Sequence, residues 1–258
     1  MTTSAWIIAL LGAGLAGWVD AVIGGGGLLL IPILMAVAPQ LSYATVLACN
    51  KVAGFSGTSS AAVLMVRKTR PPGSILARAI PLALVSSGVG AGLAGLVAKD
   101  TMRPIVFVLM VAVGLFVAFR PNFGVGQSRP WSEIPRRRHV LALCGVALIA
   151  FYDGIFGPGT GMFLIMVVTA VLSQDFVRSA ALAKVVNAST NLGALIVFII
   201  GGHVWWTLGL ALAVANVGGA LLGARTVLGG GVKLVRWALL IVVVIMAIYL
   251  SLQQVGVV

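Results

Sequence analysis

The chain has 258 residues, of which 60% are hydrophobic and only 9% are charged, with a formal net charge of +12. A soluble domain needs about a quarter of its residues charged to cover its surface, so this composition excludes a water-soluble globular protein. The basic residues are scattered between apolar stretches, which argues against a nucleic-acid partner and fits the gathering of Lys and Arg in cytoplasmic loops.

Long uncharged runs predict helices that cross a lipid bilayer. Twenty uncharged residues lie between Arg78 and Lys99, and twenty-two follow Arg236. A spanning helix needs about 20 apolar residues, whereas a barrel strand needs about ten with alternating polarity. We therefore expect an all-α polytopic membrane protein.

The first predicted element is an apolar stretch, Ser4–Ala38, which is too long for a single membrane helix. It is interrupted by four consecutive glycines, Gly24, Gly25, Gly26 and Gly27, and glycine is unfavourable inside a helix. We expect two shorter helices that meet at this break. Three ordinary spans are predicted to follow, at about 44–66, 76–98 and 103–120.

A loop with prolines, glycines and three consecutive arginines is predicted at 121–138, and the pattern then starts again. A second oversized stretch, Val140–Gln174, is interrupted at 157–161, the segment Gly-Pro-Gly-Thr-Gly. Spans are predicted at about 178–200, 205–227 and 234–253.

A shift of 133 residues superimposes the special residues of the two parts. It brings Asp20 onto Asp153, Lys51 onto Lys184 and Gly24 onto Gly157 without a gap. Charged residues are rare in apolar segments, so this coincidence predicts two homologous halves. The predicted units are an N-terminal repeat at 1–120, a basic inter-repeat loop at 121–138 and a C-terminal repeat at 139–258.

The positive-inside rule separates two topologies. If each broken stretch crosses once, the basic residues other than the two lysines divide nine against six. If each broken stretch returns to its own side, they divide thirteen against two, and the halves become inverted. The stronger bias favours inverted repeats with both termini outside, a recurring design of secondary transporters.

The two breaks are the first candidates for a binding site. A half-helix that begins after a break presents free backbone N–H groups and the positive end of its dipole, which attract an anion. The candidate residues are Gly24, Gly25, Gly26, Gly27, Gly157, Gly159, Thr160 and Gly161. The alternative is that these glycines only permit a tight turn or close helix packing.

The charged pairs are the second candidates. Lysine within a membrane segment is costly, so Lys51 and Lys184 are expected to bind substrate, or else to snorkel or form structural ion pairs. Asp20 and Asp153 each precede a break by four residues. They are candidates for proton coupling, with capping of the break or pairing with the lysines as the alternative.

Neutral polar residues line the starts of two predicted spans. They suit an oxyanion that must also be released, or else they form hydrogen bonds between helices. They are Asn50, Ser56, Thr58, Asn187, Ser189, Thr190 and Asn191. Cys49 and Cys144 are expected to be small core residues. We find no metal-ligand spacing, no cofactor motif and no catalytic arrangement, so an enzyme is not expected.

At these residues the chain resembles the sulfite exporter TauE/SafE family, over almost its whole length. The matching segments are Gly17–Gly27, Asn50–Lys51, Phe151–Gly161, Lys184–Gly193 and Gly201–Val204. The resemblance implies export of sulfite or an organosulfonate such as sulfoacetate across a bacterial inner membrane, without ATP hydrolysis. Ala183 stands where the first half has Asn50, so the two half-sites need not be equivalent.

An anion channel of the same architecture is the main alternative. The chain lacks the phosphate-binding loop Gly-x-x-x-x-Gly-Lys, which argues against an ATP-driven mechanism. The expected partners are a small anionic substrate and the lipid bilayer, and a homodimer is a further expectation for so small a transporter.

Overall fold

The computed structural model describes residues 1–94, 108 and 128–229. Within these ranges the chain is helical, with a short 3-10 turn at Trp131–Glu133 and no strand. The α-helices are α1 (Thr3–Ile23), α2 (Gly26–Val37), α3 (Tyr43–Thr69), α4 (Gly73–Ala94), α5 (Arg136–Ile155), α6 (Thr160–Leu172), α7 (Phe176–Ile200) and α8 (Trp206–Leu228). Apart from Val108, the spans predicted at 103–120 and 234–253 lie outside the described residues.

Five helices are long and apolar enough to cross a membrane, namely α1, α4, α5, α7 and α8. Large apolar side chains on their outer surfaces are exposed, such as Ile200 at 82% and Val214 at 77%, as expected for contact with lipid. The prediction of an all-α, multi-pass membrane protein is confirmed. At 27 residues α3 is also long enough to cross, but its polar side chains make it less apolar than the five.

The first break is narrower than predicted. Gly24 adopts a left-handed conformation with φ 84°, and its N–H bonds to the carbonyl of Asp20 at 2.8 Å, which ends α1. This conformation is easily reached by glycine because it has no Cβ. Only Gly24 and Gly25 lie between the helices, whereas Gly26 and Gly27 begin α2.

The second break occupies 156–159. Gly157 and Gly159 both have positive φ, at 89° and 82°, and Pro158 lies between them. Thr160 and Gly161 then form the first turn of α6.

Each broken stretch folds back on itself as a helical hairpin. Gly12 of α1 packs on Ile33 of α2, where an added Cβ would lie 2.8 Å from the Ile33 side chain. Gly145 of α5 packs in the same way on Val167 of α6. At the open end of the second hairpin, Arg138 donates to the Ser173 hydroxyl at 2.9 Å. Both ends of each hairpin therefore lie on the same side of the molecule.

The helices that the 133-residue shift relates, α3 and α7, cross in opposite directions. Cys49, near the start of α3, donates to the carbonyl of Trp205, which lies just beyond the end of α7. Nearer their middle, Gly54 of α3 lies against the amide of Asn191. At the far end of α3, Lys68 donates to the carbonyl of Leu228, so α3 and α8 run in the same direction.

Small residues bring the helix backbones together. In α4, a Cβ added at Gly90 would lie 2.1 Å from the carbonyl oxygen of Phe151 in α5. In α8, a Cβ added at Gly219 would lie 1.8 Å from the carbonyl oxygen of Gly14 in α1. Such contacts stabilise helix pairs in lipid, where the hydrophobic effect contributes little between helices.

The basic residues collect on one face of the bundle. The ends of α3, α6 and α8 meet the starts of α4, α5 and α7 there, as the Lys68–Leu228 and Arg138–Ser173 hydrogen bonds require. The described residues on this face are Arg67, Lys68, Arg70, Arg78, Arg129, Arg136, Arg137, Arg138, Arg178 and Arg225. Apart from Lys51 and Lys184, no Lys or Arg of the described ranges lies elsewhere.

Two details differ from the sequence predictions. The arginines at 136–138 do not lie in a loop but form the first turn of α5, because Pro135 fits the position just before a helix. Cys144 is exposed on α5 rather than packed in the core, whereas Cys49 is buried as expected. The apolar residues around Cys144 in the sequence therefore belong to a helix surface that contacts lipid, and not to the protein core.

Candidate functional site

The two helix breaks meet around a small, largely polar cavity of about 30 Å³. The amide of Met162 donates to the carbonyl of Gly24 at 3.2 Å, and a Cβ added at Gly24 would lie 2.2 Å from the carbonyl carbon of Gly161. The cavity is lined by Asp20, Gly24, Gly26, Gly27, Asn50, Gly54, Thr58, Asp153, Gly157, Thr160, Gly161, Asn187, Asn191 and Asn216. Seven of these residues lie before position 121 and seven lie after position 138.

A buried ion pair joins Lys51 of α3 to Asp153 of α5. The Lys51 ammonium lies 2.5 Å from a carboxylate oxygen of Asp153, and the two side chains are 1% and 2% exposed. The hydroxyl of Thr160 donates to the other carboxylate oxygen at 2.6 Å. Both oxygens of Asp153 are therefore hydrogen-bonded, as a buried charge requires.

A second pair joins Lys184 of α7 to Asp20 of α1. The Lys184 ammonium lies 3.0 Å from a carboxylate oxygen of Asp20 and also donates to the main-chain carbonyl of that residue. Thr58 donates to the same carboxylate at 3.0 Å, and the amide of Gly26 contacts it at 3.4 Å. Lys184 is fully buried, but the Asp20 side chain is 14% exposed.

Each of the two ion pairs joins a residue from the first part of the chain to a residue from the second part. Asp20, at the first break, pairs with the lysine of α7, and Asp153, at the second break, pairs with the lysine of α3. Both carboxylates pair with a lysine, one of the alternatives that the sequence left open, and Asp20 also accepts from the amide of Gly26 at the start of α2. Each lysine neutralises a carboxylate that would otherwise repel an anion from the cavity.

Asparagine amides supply the uncommitted polar groups of the cavity. Asn50 and Asn191 are only 7% and 6% exposed, yet neither side chain has a hydrogen-bond partner in the described parts of the chain. Asn187 accepts from Thr190, which leaves its NH₂ group free of any partner among the described residues. Asn216 differs, since its NH₂ group donates to the carbonyl of Ala13 at 3.0 Å.

Most of the predicted site residues lie together around this cavity. The predicted residues that line it are Asp20, Gly24, Gly26, Gly27, Asn50, Thr58, Asp153, Gly157, Thr160, Gly161, Asn187 and Asn191. Those that do not line it are Gly25, Lys51, Ser56, Gly159, Lys184, Ser189 and Thr190. The lysines lie behind the carboxylates, and the Ser56 hydroxyl donates to the Val52 carbonyl of its own helix at 2.9 Å.

Gly54 and Asn216 are the lining residues that the sequence reasoning missed. Asn216 is a single polar residue in an apolar span, and its equivalent across the 133-residue shift is Ala83, so the repeat gave no signal for it. Gly54 lies one helical turn beyond Asn50 and therefore on the same face of α3, so helical spacing from Asn50 could have identified it. No group of three or more His, Cys, Asp or Glu that would suit a metal ion occurs among the residues described.

Comparison with known proteins identifies the family of the chain. The family model "Sulfite exporter TauE/SafE" matches residues 9–250. The chain is 36% identical over 237 residues to the probable membrane transporter protein YfcA of Escherichia coli K12, covering 90% of this chain and 84% of that protein. It is 34% identical over 241 residues to the probable membrane transporter protein ORF9 of Sinorhizobium sp, covering 92% and 88%. No solved structure matches significantly.

Proposed function

The chain belongs to the sulfite exporter TauE/SafE family of membrane transporters, and from this premise we propose that it exports a small sulfur-containing anion across the bacterial inner membrane. The substrate class is sulfite or an organosulfonate such as sulfoacetate. The transporter is secondary, driven by an ion gradient rather than by ATP. Its binding site is the cavity at the two helix breaks.

One observation carries this proposal: the amides of Asn50 and Asn191 face the cavity and form no hydrogen bond with any described residue. Their polar atoms keep access to the cavity, where a ligand can complete their hydrogen bonds. Carboxamide NH₂ groups donate hydrogen bonds, which oxyanions accept. The uncommitted amides therefore favour an oxyanion as the ligand.

The electrostatics of the cavity suit binding that is reversible. The two ion pairs leave no net charge from Asp20, Asp153 and the lysines, so the anion meets neutral donors and the N-terminal turns of α2 and α6. Helix N-termini attract anions through their free N–H groups and dipole. A site without net positive charge holds an anion less tightly than exposed lysines would, which favours release.

The size of the cavity favours the smaller substrates. A volume of about 30 Å³ accepts little more than a few water molecules. Sulfite, with one sulfur and three oxygens, requires less rearrangement of the surrounding helices than sulfoacetate, which adds a carboxymethyl group. We therefore place sulfite ahead of sulfoacetate as the substrate.

The proposed mechanism is a rocking movement of one inverted repeat against the other. It is supported by the opposite directions of α3 and α7 and by the ion pairs that each contain one residue from either predicted half. The positive-inside rule makes the basic face cytoplasmic, which puts the N-terminus outside. Substrate sites near the midplane between repeats are typical of transporters of this build.

The test is flux of labelled sulfite and sulfoacetate into proteoliposomes, with and without an imposed pH gradient. We expect saturable sulfite flux that shows counterflow, which distinguishes a carrier from an anion channel. Flux that rises linearly with concentration and shows no counterflow would favour the channel. Absence of flux of either anion with folded protein would refute the substrate proposal.

We also propose that the protein forms a homodimer. The mass of the detergent-solubilised protein tests this proposal.

A further inference from the structure

A second and larger cavity of about 440 Å³ opens among α4, α5, α6, α7 and the 3-10 turn. Its walls are apolar and include Val146 of α5, Leu164 and Val168 of α6. Arg78 and Arg136 supply its positive charge on the basic face of the bundle, and His139 also lines it. We call this cavity the crevice.

The crevice lies in line with the binding cavity along three shared helices. On α6, Gly161 lines the binding cavity, and Leu164, Val168 and Leu172 line the crevice at helical spacings of three and four. On α7, Asn187 lines the binding cavity and Ala183, one turn earlier, lines the crevice. The crevice therefore extends from the basic face towards the two breaks.

The deepest wall of the crevice separates it from the binding cavity. Leu164 and Ala183 are both 0% exposed, although they line the crevice. Leu164 is one helical turn from Gly161 of the binding cavity. The Leu164 side chain is therefore placed to close the route between the two spaces.

The arginines of the crevice have no charged counterparts at the positions that the 133-residue shift relates to them. The shift takes Arg78 to Ala211 and Arg136 to Thr3. Arg78 and Arg136 are exposed, and neither forms an ion pair within the described part of the chain. The positive charge at the entrance therefore occurs on the cytoplasmic side only and is not repeated at the equivalent positions of the chain.

We propose that the crevice is the cytoplasmic entry vestibule for the anion, in which Arg78 and Arg136 collect it and Leu164 closes the way to the binding cavity. Clefts with charge of one sign and low-dielectric walls raise the local concentration of the opposite ion. The apolar depth of the crevice offers the anion no strong site, so the anion is concentrated without being trapped. This inference rests on the proposed function and gives it a direction, since loading is favoured from the cytoplasm.

Kinetics in inside-out vesicles test the role of the arginines. The double variant Arg78→Gln/Arg136→Gln should raise the KM for labelled sulfite at low ionic strength about five- to tenfold, leave the maximal rate unchanged and lose most of its salt dependence. The matched control is Arg225→Gln, which removes a charge from the same face outside the crevice and should change neither parameter. Wild-type kinetics in the double variant would overturn the proposed role.

Thiol labelling tests the route independently of transport. Leu143 lines the crevice and is partly exposed. In a Cys144→Ala background, Leu143→Cys should react with a membrane-impermeant, sulfonate-bearing thiol reagent added from the cytoplasmic face, and not from the opposite face. Failure to label from the cytoplasmic face would overturn the vestibule even if sulfite flux is normal. Labelling from the cytoplasmic face without any sulfite flux would support the vestibule and refute the proposed function.

Discussion

Lys184 donates to both the carboxylate and the main-chain carbonyl of Asp20, close to the end of α1. A cation is favourable at a helix C-terminus, where unpaired carbonyls carry partial negative charge. The lysine of α7 thus stabilises the break that follows α1, while the lysine of α3 pairs with Asp153 at the other break. Each break is therefore stabilised by a lysine from the other part of the chain.

The Lys51–Asp153 pair should behave as a structural unit. Lys51→Met leaves the Asp153 carboxylate buried without its partner and should cost about 3–5 kcal/mol of stability. The double variant Lys51→Met/Asp153→Asn should recover much of this loss, because no unpaired charge remains. Thermal unfolding in detergent measures both.

The control for this prediction is Arg178→Ala, which removes a partly exposed pair with Asp175 and should cost less than about 1 kcal/mol. A Lys51→Met protein as stable as the wild type would show that the Lys51–Asp153 pair contributes nothing to the fold.

The unpartnered amides should matter for the ligand and not for stability. Asn50→Ala and Asn191→Ala each remove a hydrogen-bond donor to a charged ligand, worth about 1.5–3 kcal/mol, or roughly 10- to 150-fold in KM for the anion. Asn216→Ala should instead lower the unfolding temperature, because its amide holds the Ala13 carbonyl of α1. Unchanged KM in both Asn50→Ala and Asn191→Ala would exclude their contact with the substrate.

The two breaks are in such close contact that Gly24 should not accept a residue with a side chain. Gly24→Ala places a Cβ 2.2 Å from the backbone of Gly161 and requires positive φ, so we expect loss of folded protein or of transport. Gly92→Ala in α4 meets nothing within 4 Å and should stabilise the helix by up to about 1 kcal/mol. Yield of monodisperse protein and the unfolding temperature distinguish them, and an active, stable Gly24→Ala protein would contradict the described break.

Asp20 is the better candidate for proton coupling. Its side chain is 14% exposed, whereas Asp153 is 2% exposed and hydrogen-bonded at both oxygens. We expect Asp20→Asn to abolish the effect of a pH gradient on flux while sulfite exchange at equal pH continues. Asp175→Asn, at the surface cap of α7, is the matched control and should keep the gradient effect. Gradient-driven flux that survives Asp20→Asn would assign coupling elsewhere.

Several elements were predictable because they depend on local chemistry. Uncharged runs of about twenty residues identify membrane helices, and the glycine segments identify the breaks. The break boundaries were predicted less well, because Gly26, Gly27 and Gly161 are helical once neighbouring helices pack against them. Pro135 similarly allowed α5 to begin at the arginines that composition had assigned to a loop.

The membrane class, the two breaks and the set of polar residues within the apolar segments follow from the sequence. The folding of each broken stretch into a hairpin, and the contacts of the polar residues, required the three-dimensional structure. The lysines pair with carboxylates 102 and 164 residues away, whereas the side chains of Asn50 and Asn191 form no hydrogen bond with a described residue. Spacing along a chain specifies which residues share a helix face, but partners across the bundle depend on how the helices cross.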